Sequence, residues 1–148
     1  MLRAGVRTVK VAPLSLLVIA VAASLIASGC FSRRYPRLME AHLEVLSLYA
    51  GKLVALAEDE RTIPIQDWGE FTYPLDRARD FARVATMHYP ERASLASFRI
   101  ALDAYGALVA DPAVLSGADA PATVAARAAA FTATVTQTRA DLARERGA

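Results

Sequence analysis

The chain has 148 residues, 55% hydrophobic and 22% charged, with a formal net charge of +2. That length allows one domain behind an N-terminal segment, and the apolar share is high for a small soluble protein. The charge excludes a nucleic-acid surface, because Arg3, Arg7 and Lys10 all precede Cys30. Taking those three from the 17 basic residues leaves 14 against 15 acidic ones, with no basic patch. A single cysteine excludes both an intramolecular disulfide and a zinc site built on several thiolates.

Arg3, Arg7 and Lys10 form a basic start, and Val11 to Gly29 is an uncharged run ending in the small residues Ala27-Ser28-Gly29. A basic region, an apolar region and a small-residue cleavage site together describe an export signal. The stretch Ile26-Ala27-Ser28-Gly29-Cys30 resembles the lipobox of bacterial lipoproteins. There, small residues precede a cysteine that is lipidated and becomes the new N-terminus. Ser28, Gly29 and Cys30 match the pattern, while Ala27 stands where leucine is usual.

The resemblance covers residues 1–30 only. It implies cleavage between Gly29 and Cys30, two or three palmitate-type chains on Cys30, and a place in the bacterial cell envelope. One acyl chain holds a protein only marginally, at roughly 0.8 kcal/mol per buried methylene, whereas two or three make attachment lasting. Phe31, rather than aspartate, follows the cysteine. The same resemblance therefore implies the periplasmic face of the outer membrane where a cell has two membranes.

The residues themselves leave a second anchor open. Val11–Gly29 is 19 residues long, just enough to span a bilayer uncleaved. Arg33, Arg34 and Arg37 nearly match the basic residues on the other side, so charge asymmetry does not choose. The expected organisation is a signal over 1–29, a lipidated leader over 30–35 and a helical domain over 36–148.

Within that domain the first helix opens at Pro36, a residue suited to a first helical position, and runs to about Arg61. Met39, Leu43, Leu46, Ala50, Leu53 and Ala57 keep one face. Val45, Leu48, Tyr49 and Leu56 are expected to widen it, making this the most buried helix. Glu58, Asp59 and Glu60 read as a solvated end.

A connection over 62–73 follows, extended by Pro64 and Pro74. The second helix runs from about Pro74 to Tyr89, where Pro90 stops it, with Leu75, Ala78, Ala82, Ala85 and Tyr89 in register. The third runs from about Glu91 to Ala110 with Leu95, Phe98, Leu102, Tyr105 and Val109. The fourth, from about Pro121 to Arg146, carries Val124, Ala128, Phe131, Val135, Thr138 and Leu142. Its threonines are mediocre helix formers, so it depends on packing.

No strand pattern is present. The fold expected is all-α, a small antiparallel four-helix bundle after a cleaved lipoprotein signal. Loops 62–73 and 111–120 then share one end, and the Tyr89-Pro90 corner and the C-terminus share the other. A second helix of roughly 24 Å beside a first of roughly 39 Å leaves bare core for the 62–73 loop to cover.

Candidate site residues are few. Trp68, Phe71 and Ile65, with Ile63 and Tyr73, make the 62–73 loop apolar. That loop is either a protein-binding patch or a plug for the open end of the bundle, and the helix-length mismatch favours the plug.

His42 and His88 are the only histidines, and Met39 lies near His42 in sequence. Histidine and methionine hold haem in some helical bundles. Two histidines fall short of a three-ligand zinc site, and no cysteine pair exists to attach haem. No metal or cofactor is therefore expected.

Most carboxylates fall off the apolar stripes, and no phosphate loop, nucleophile motif or inward acid–base pair appears. The expected function is a membrane-anchored accessory or protein-interaction module without catalytic residues. The membrane is met through lipid on Cys30, and a protein partner through the helical body. The alternative is a bundle that holds haem, metal or lipid between its helices.

Overall fold

The computed structural model describes residues 13–147, with side chains from residue 34 onward. The chain divides into two compact units, Met1–Arg34 and Tyr35–Ala148. The elements are α1 (Pro13–Glu58), a single 3-10 turn (Ile65–Asp67), α2 (Gly69–His88), α3 (Ala93–Val109), α4 (Pro112–Leu115) and α5 (Pro121–Gly147). There is no strand among the described residues.

The second unit is an all-α bundle with antiparallel neighbours. Tyr35 at its start meets Tyr89 after α2, with ring centroids 5.2 Å apart, and Ser94 on α3, with oxygens 2.9 Å apart. Glu145 on α5 accepts from the same serine. At the other end Lys52 of α1 pairs with Glu70 of α2 at 2.8 Å. There the Ile63 amide also donates to the Leu115 carbonyl at 3.3 Å, tying the two loops together as the topology requires.

The stripes read from the sequence form the core. Met39, Leu43, Leu46, Ala50 and Leu53 are buried on α1, as are Leu95, Phe98, Leu102, Tyr105 and Val109 on α3. On α5 the expected face from Val124 to Leu142 is buried throughout. Thr138 satisfies its hydroxyl on the Thr134 carbonyl at 2.8 Å, so it sits in the core without an orphaned donor.

Several boundaries differ. Helix α1 does not open at Pro36 but passes through it, at the loss of one backbone bond. Residues 30–35 are helical within α1, and the division between the two compact units falls between Arg34 and Tyr35. Helix α2 begins at Gly69, five residues before Pro74, and has 20 residues. Phe71 and Tyr73 thus belong to a helix rather than to a loop. Connection 111–120 contains α4, capped by the Asp111 carboxylate on the Ala113 amide with Pro112 in the first turn.

Among the described residues the most buried long helix is α3, not α1. Val45 and Leu48, expected on the core side of α1, are 43% and 70% exposed. At about 100° per residue they lie too far round from the Met39–Leu53 stripe to reach the core.

Helix α1 ends in a left-handed cap. Glu60 has φ +53°, the Arg61 amide donates to the Leu56 carbonyl at 2.9 Å, and the Glu60 amide donates to Ala57 at 3.2 Å. That is the double-bonded glycine-type termination, here carried by a glutamate. Glu58, Asp59 and Glu60 are all exposed, as expected of a solvated end.

Candidate functional site

The side chains of Gly29 and Cys30, the expected cleavage and lipidation residues, lie outside the described residues. Among the described residues no helix is long and apolar enough to cross a membrane. The side chains of the run Val11–Gly29 are not among them.

Trp68, Phe71 and Ile65 do not form one patch. Phe71 is buried in the core, packed edge-on against Tyr49 at 5.6 Å, and its carbonyl accepts the Tyr105 hydroxyl at 2.9 Å. Burial pushes the Tyr105 phenol up, so it stays a neutral donor. Trp68 is half-buried and donates its indole N–H to the Ile63 carbonyl at 2.9 Å. That bond folds the loop back and places Ile63 in the core, with Val114 and Leu115 of α4 buried at the same end. Ile65 alone is open, 76% exposed. The loop is a plug with one apolar residue left outside.

His42, His88 and Met39 do not converge either. Met39 is fully buried. His42 is half-buried against Phe81, ring centroids 5.1 Å apart, and Phe98 at 6.5 Å. Burial, aided by the charge of Arg77, lowers its pKa below the usual 6.5. His88 is exposed at the end of α2 beside Tyr89. It lies two turns, about 10.5 Å, beyond Phe81 along the helix. Among the described residues no group of three or more His, Cys, Asp or Glu is arranged to hold a metal ion.

The structure brings together residues that the sequence did not single out. At the Tyr35 end, Glu145 accepts from the Ser94 amide at 2.9 Å and its hydroxyl at 2.7 Å, and Arg92 lies 3.6 Å from the same carboxylate. The Arg92 guanidinium also sits over Tyr35 and Tyr89, 4.9 and 4.5 Å from their rings. This arrangement caps α3 from the last turns of α5. Both oxygens of the Glu145 carboxylate are engaged, so it serves as a clasp. At the opposite end Arg127 of α5 holds Asp111 at 2.7 Å and Asp119 at 3.2 Å across the α4 connection.

Two open surfaces stand out among the described residues. Leu38, Val45 and Leu48 stand exposed along the outer side of α1. With Ala41 and Ala55, also exposed, they follow heptad spacing. Beside Leu48 a cleft of about 480 Å³ opens between Gly51, Lys52 and Glu70. Lys52 is fixed there by Glu70 and by the faces of Tyr49 and Phe71, 5.8 and 5.4 Å away. The other surface is a groove of about 450 Å³ between α2 and α3.

Compared with known proteins, the chain matches no family model, no curated protein and no solved structure.

Proposed function

We propose that the protein is a lipid-anchored helical module of the bacterial envelope that works by contact with another protein. Its partner would lay an apolar-faced helix along α1. The observation that carries the contact is the second seam on that helix. Leu38, Val45 and Leu48 repeat at heptad spacing on the side away from the Met39–Leu53 stripe, and stay open to solvent while that stripe fills the core. Exposed leucine and valine in heptad register suit a helix laid alongside. The anchor is supported by the lipobox-like Ser28-Gly29-Cys30 behind a basic and apolar leader.

The rival, a cofactor held between helices at Met39, His42 and His88, finds less support, because those residues occupy the packed core, a half-buried ring stack and the surface. Photo-crosslinking tests the contact. A photoreactive residue at position 48 should give a discrete adduct in cells, one at exposed Asp76 on α2 should not, and Leu48→Asp should abolish co-purification of the captured protein. No adduct at 48, or co-purification unchanged by Leu48→Asp, removes the proposed surface.

A further inference from the structure

We propose that the Tyr35 end of the bundle is a seat for an anionic lipid surface, with Arg37, Arg144 and Arg146 set among the headgroups and the 58–70 end held away from them. The inference deepens the reading of a lipid anchor on Cys30 and rests on it. It concerns the two ends of the bundle, not the outer face of α1.

The tether decides which end is near. Cys30 lies five residues before Tyr35, so even a fully extended chain keeps the two within about 18 Å. Tyr35 and Glu58 are 23 residues apart on α1, roughly 35 Å of helix. A lipid on Cys30 therefore keeps the Tyr35 end beside the bilayer, while the far end is free to swing until something holds it away.

Charge is divided between the same two ends. From Glu58 to Glu70 five acids stand against Arg61 alone, and at that end Asp111 and Asp119 share the single Arg127. At the Tyr35 end the acids are taken up. Glu145 gives both oxygens to Ser94. Asp141, 6% exposed, accepts from Gln137 and Arg144. Glu40 is held by Arg139 at 2.6 Å. Among the described residues Glu91 is the one exposed acid there.

The arginines of this end point outward for a simple reason. Tyr35 and Glu145 face the clasp, and Arg37, Arg144 and Arg146 are carried about 100–200° round from them by helical geometry. All three are exposed, Arg144 with 70% of its side chain open. Among the described residues the ion pairs of this end take in Arg92, Arg139 and Arg144, but neither Arg37 nor Arg146. The α2–α3 corner adds Met87 and Pro90, both exposed, and Tyr89, whose ring lies 4.5 Å from the Arg92 guanidinium. Apolar and aromatic groups beside arginine suit the headgroup level of a bilayer.

An anionic lipid surface attracts each nearby arginine and repels the 58–70 end, and both effects stand the bundle on its Tyr35 end. A neutral surface supplies neither. An acidic protein face carries the same charge, but the tether guarantees the nearness of the bilayer alone. Arg33 and Arg34 lie in the tether itself and strengthen the attraction without orienting the bundle, so the variants below leave them in place.

The test is fluorescence quenching in vesicles that hold the purified full chain. Lipid on the Cys30 sulfur leaves no free thiol, so a single introduced cysteine takes a maleimide dye alone. One is placed at exposed Ala93 in the first turn of α3, the other at exposed Gln66 at the far end. The vesicles are phosphatidylcholine, or a mixture rich in phosphatidylglycerol, with nitroxide-headgroup lipid as the quencher. Quenching at position 93 should be stronger on the anionic vesicles than on the neutral ones, and at position 66 no stronger. Salt near 1 M, where the Debye length is about 3 Å, should remove the difference.

Arg37→Gln combined with Arg146→Gln should remove most of it, each arginine shifting the ratio of seated to free bundle about fivefold. Both side chains are exposed, so the urea midpoint should not change. Arg61→Gln, at the far end, should leave quenching at position 93 undiminished. Equal quenching at 93 on neutral and anionic vesicles overturns the proposal, as does a difference that survives the double variant undiminished. Arginine-dependent capture of an acidic protein, with no dependence on lipid charge, overturns it too and gives the surface to a protein. Dye on the parent chain would show a free Cys30 thiol and remove the anchor. The same comparison in Cys30→Ser, held by the Val11–Gly29 run, then still decides the seat.

Discussion

Truncating Glu145 to alanine should cost about 2–3 kcal/mol of stability, because one carboxylate closes the bundle at the Tyr35 end. Its side chain is only 20% exposed, and it takes both the Ser94 amide and the Ser94 hydroxyl. Loss of a helix N-terminal cap costs about 1 kcal/mol, and a hydrogen bond to a charged acceptor contributes about 1.5–3 kcal/mol. The Arg92 pair at 3.6 Å adds little, being partly solvated. The Ser94 hydroxyl keeps Tyr35 as a partner after truncation, so the amide of fully buried Ser94 is the group left wanting.

Equilibrium urea unfolding, followed by far-ultraviolet circular dichroism, measures the loss. Glu145→Gln, which keeps an acceptor in place, should lose about half as much. A cycle with Ser94→Ala should show coupling of about 1 kcal/mol, since both variants remove the hydroxyl–carboxylate bond while only Glu145→Ala also removes the amide bond. A loss under about 0.5 kcal/mol, or strict additivity, would show that α5 does not cap α3 and that the clasp is incidental.

Glu60→Gly should raise stability by about 1 kcal/mol, since glycine adopts φ near +53° without the side-chain penalty that glutamate carries; an unchanged urea midpoint would contradict the left-handed cap. Tyr105→Phe should cost about 1 kcal/mol by removing the buried bond to the Phe71 carbonyl, and a neutral result would mean that the bond is not made. The lowered pKa of His42 gives stability a pH dependence. The unfolded chain takes up a proton near 6.5 and the folded one only at lower pH, so this contribution is complete above 6.5 and is lost as pH falls toward the folded value. Urea midpoints from about pH 8 to about pH 5 should show that decline in the parent and not in His42→Phe; equal slopes would place His42 in solvent.

The sequence was most informative where burial follows simple periodicity. Every residue of the α3 and α5 stripes is buried, because Leu95 to Val109 and Val124 to Leu142 recur every three or four residues, although α3 also buries Ala101 and Leu108 beside its stripe. On α1 there are two such faces, and periodicity alone does not say which one meets the core. The pattern therefore points Val45 and Leu48 inward, whereas they lie outside.

Prolines misled in two places. Pro36 and Pro74 suit a helix start, yet each lies inside a helix, where packing outweighs one lost backbone bond. Asp111-Pro112, a cap followed by a first-turn proline, is a legible signal for α4 within the 111–120 connection. The clasp of Tyr35, Ser94, Arg92 and Glu145 had no sequence signature. Its members are up to 110 residues apart and meet only through the antiparallel return of α5.

The account turns on the state of Cys30, and intact mass spectrometry of the protein extracted from membranes reads it directly. A chain beginning at Cys30, heavier than its residues by a diacylglyceryl group with or without a further acyl chain, is the expected result. A chain that begins at Met1 with a free thiol would contradict it, and would leave the Val11–Gly29 run as the anchor.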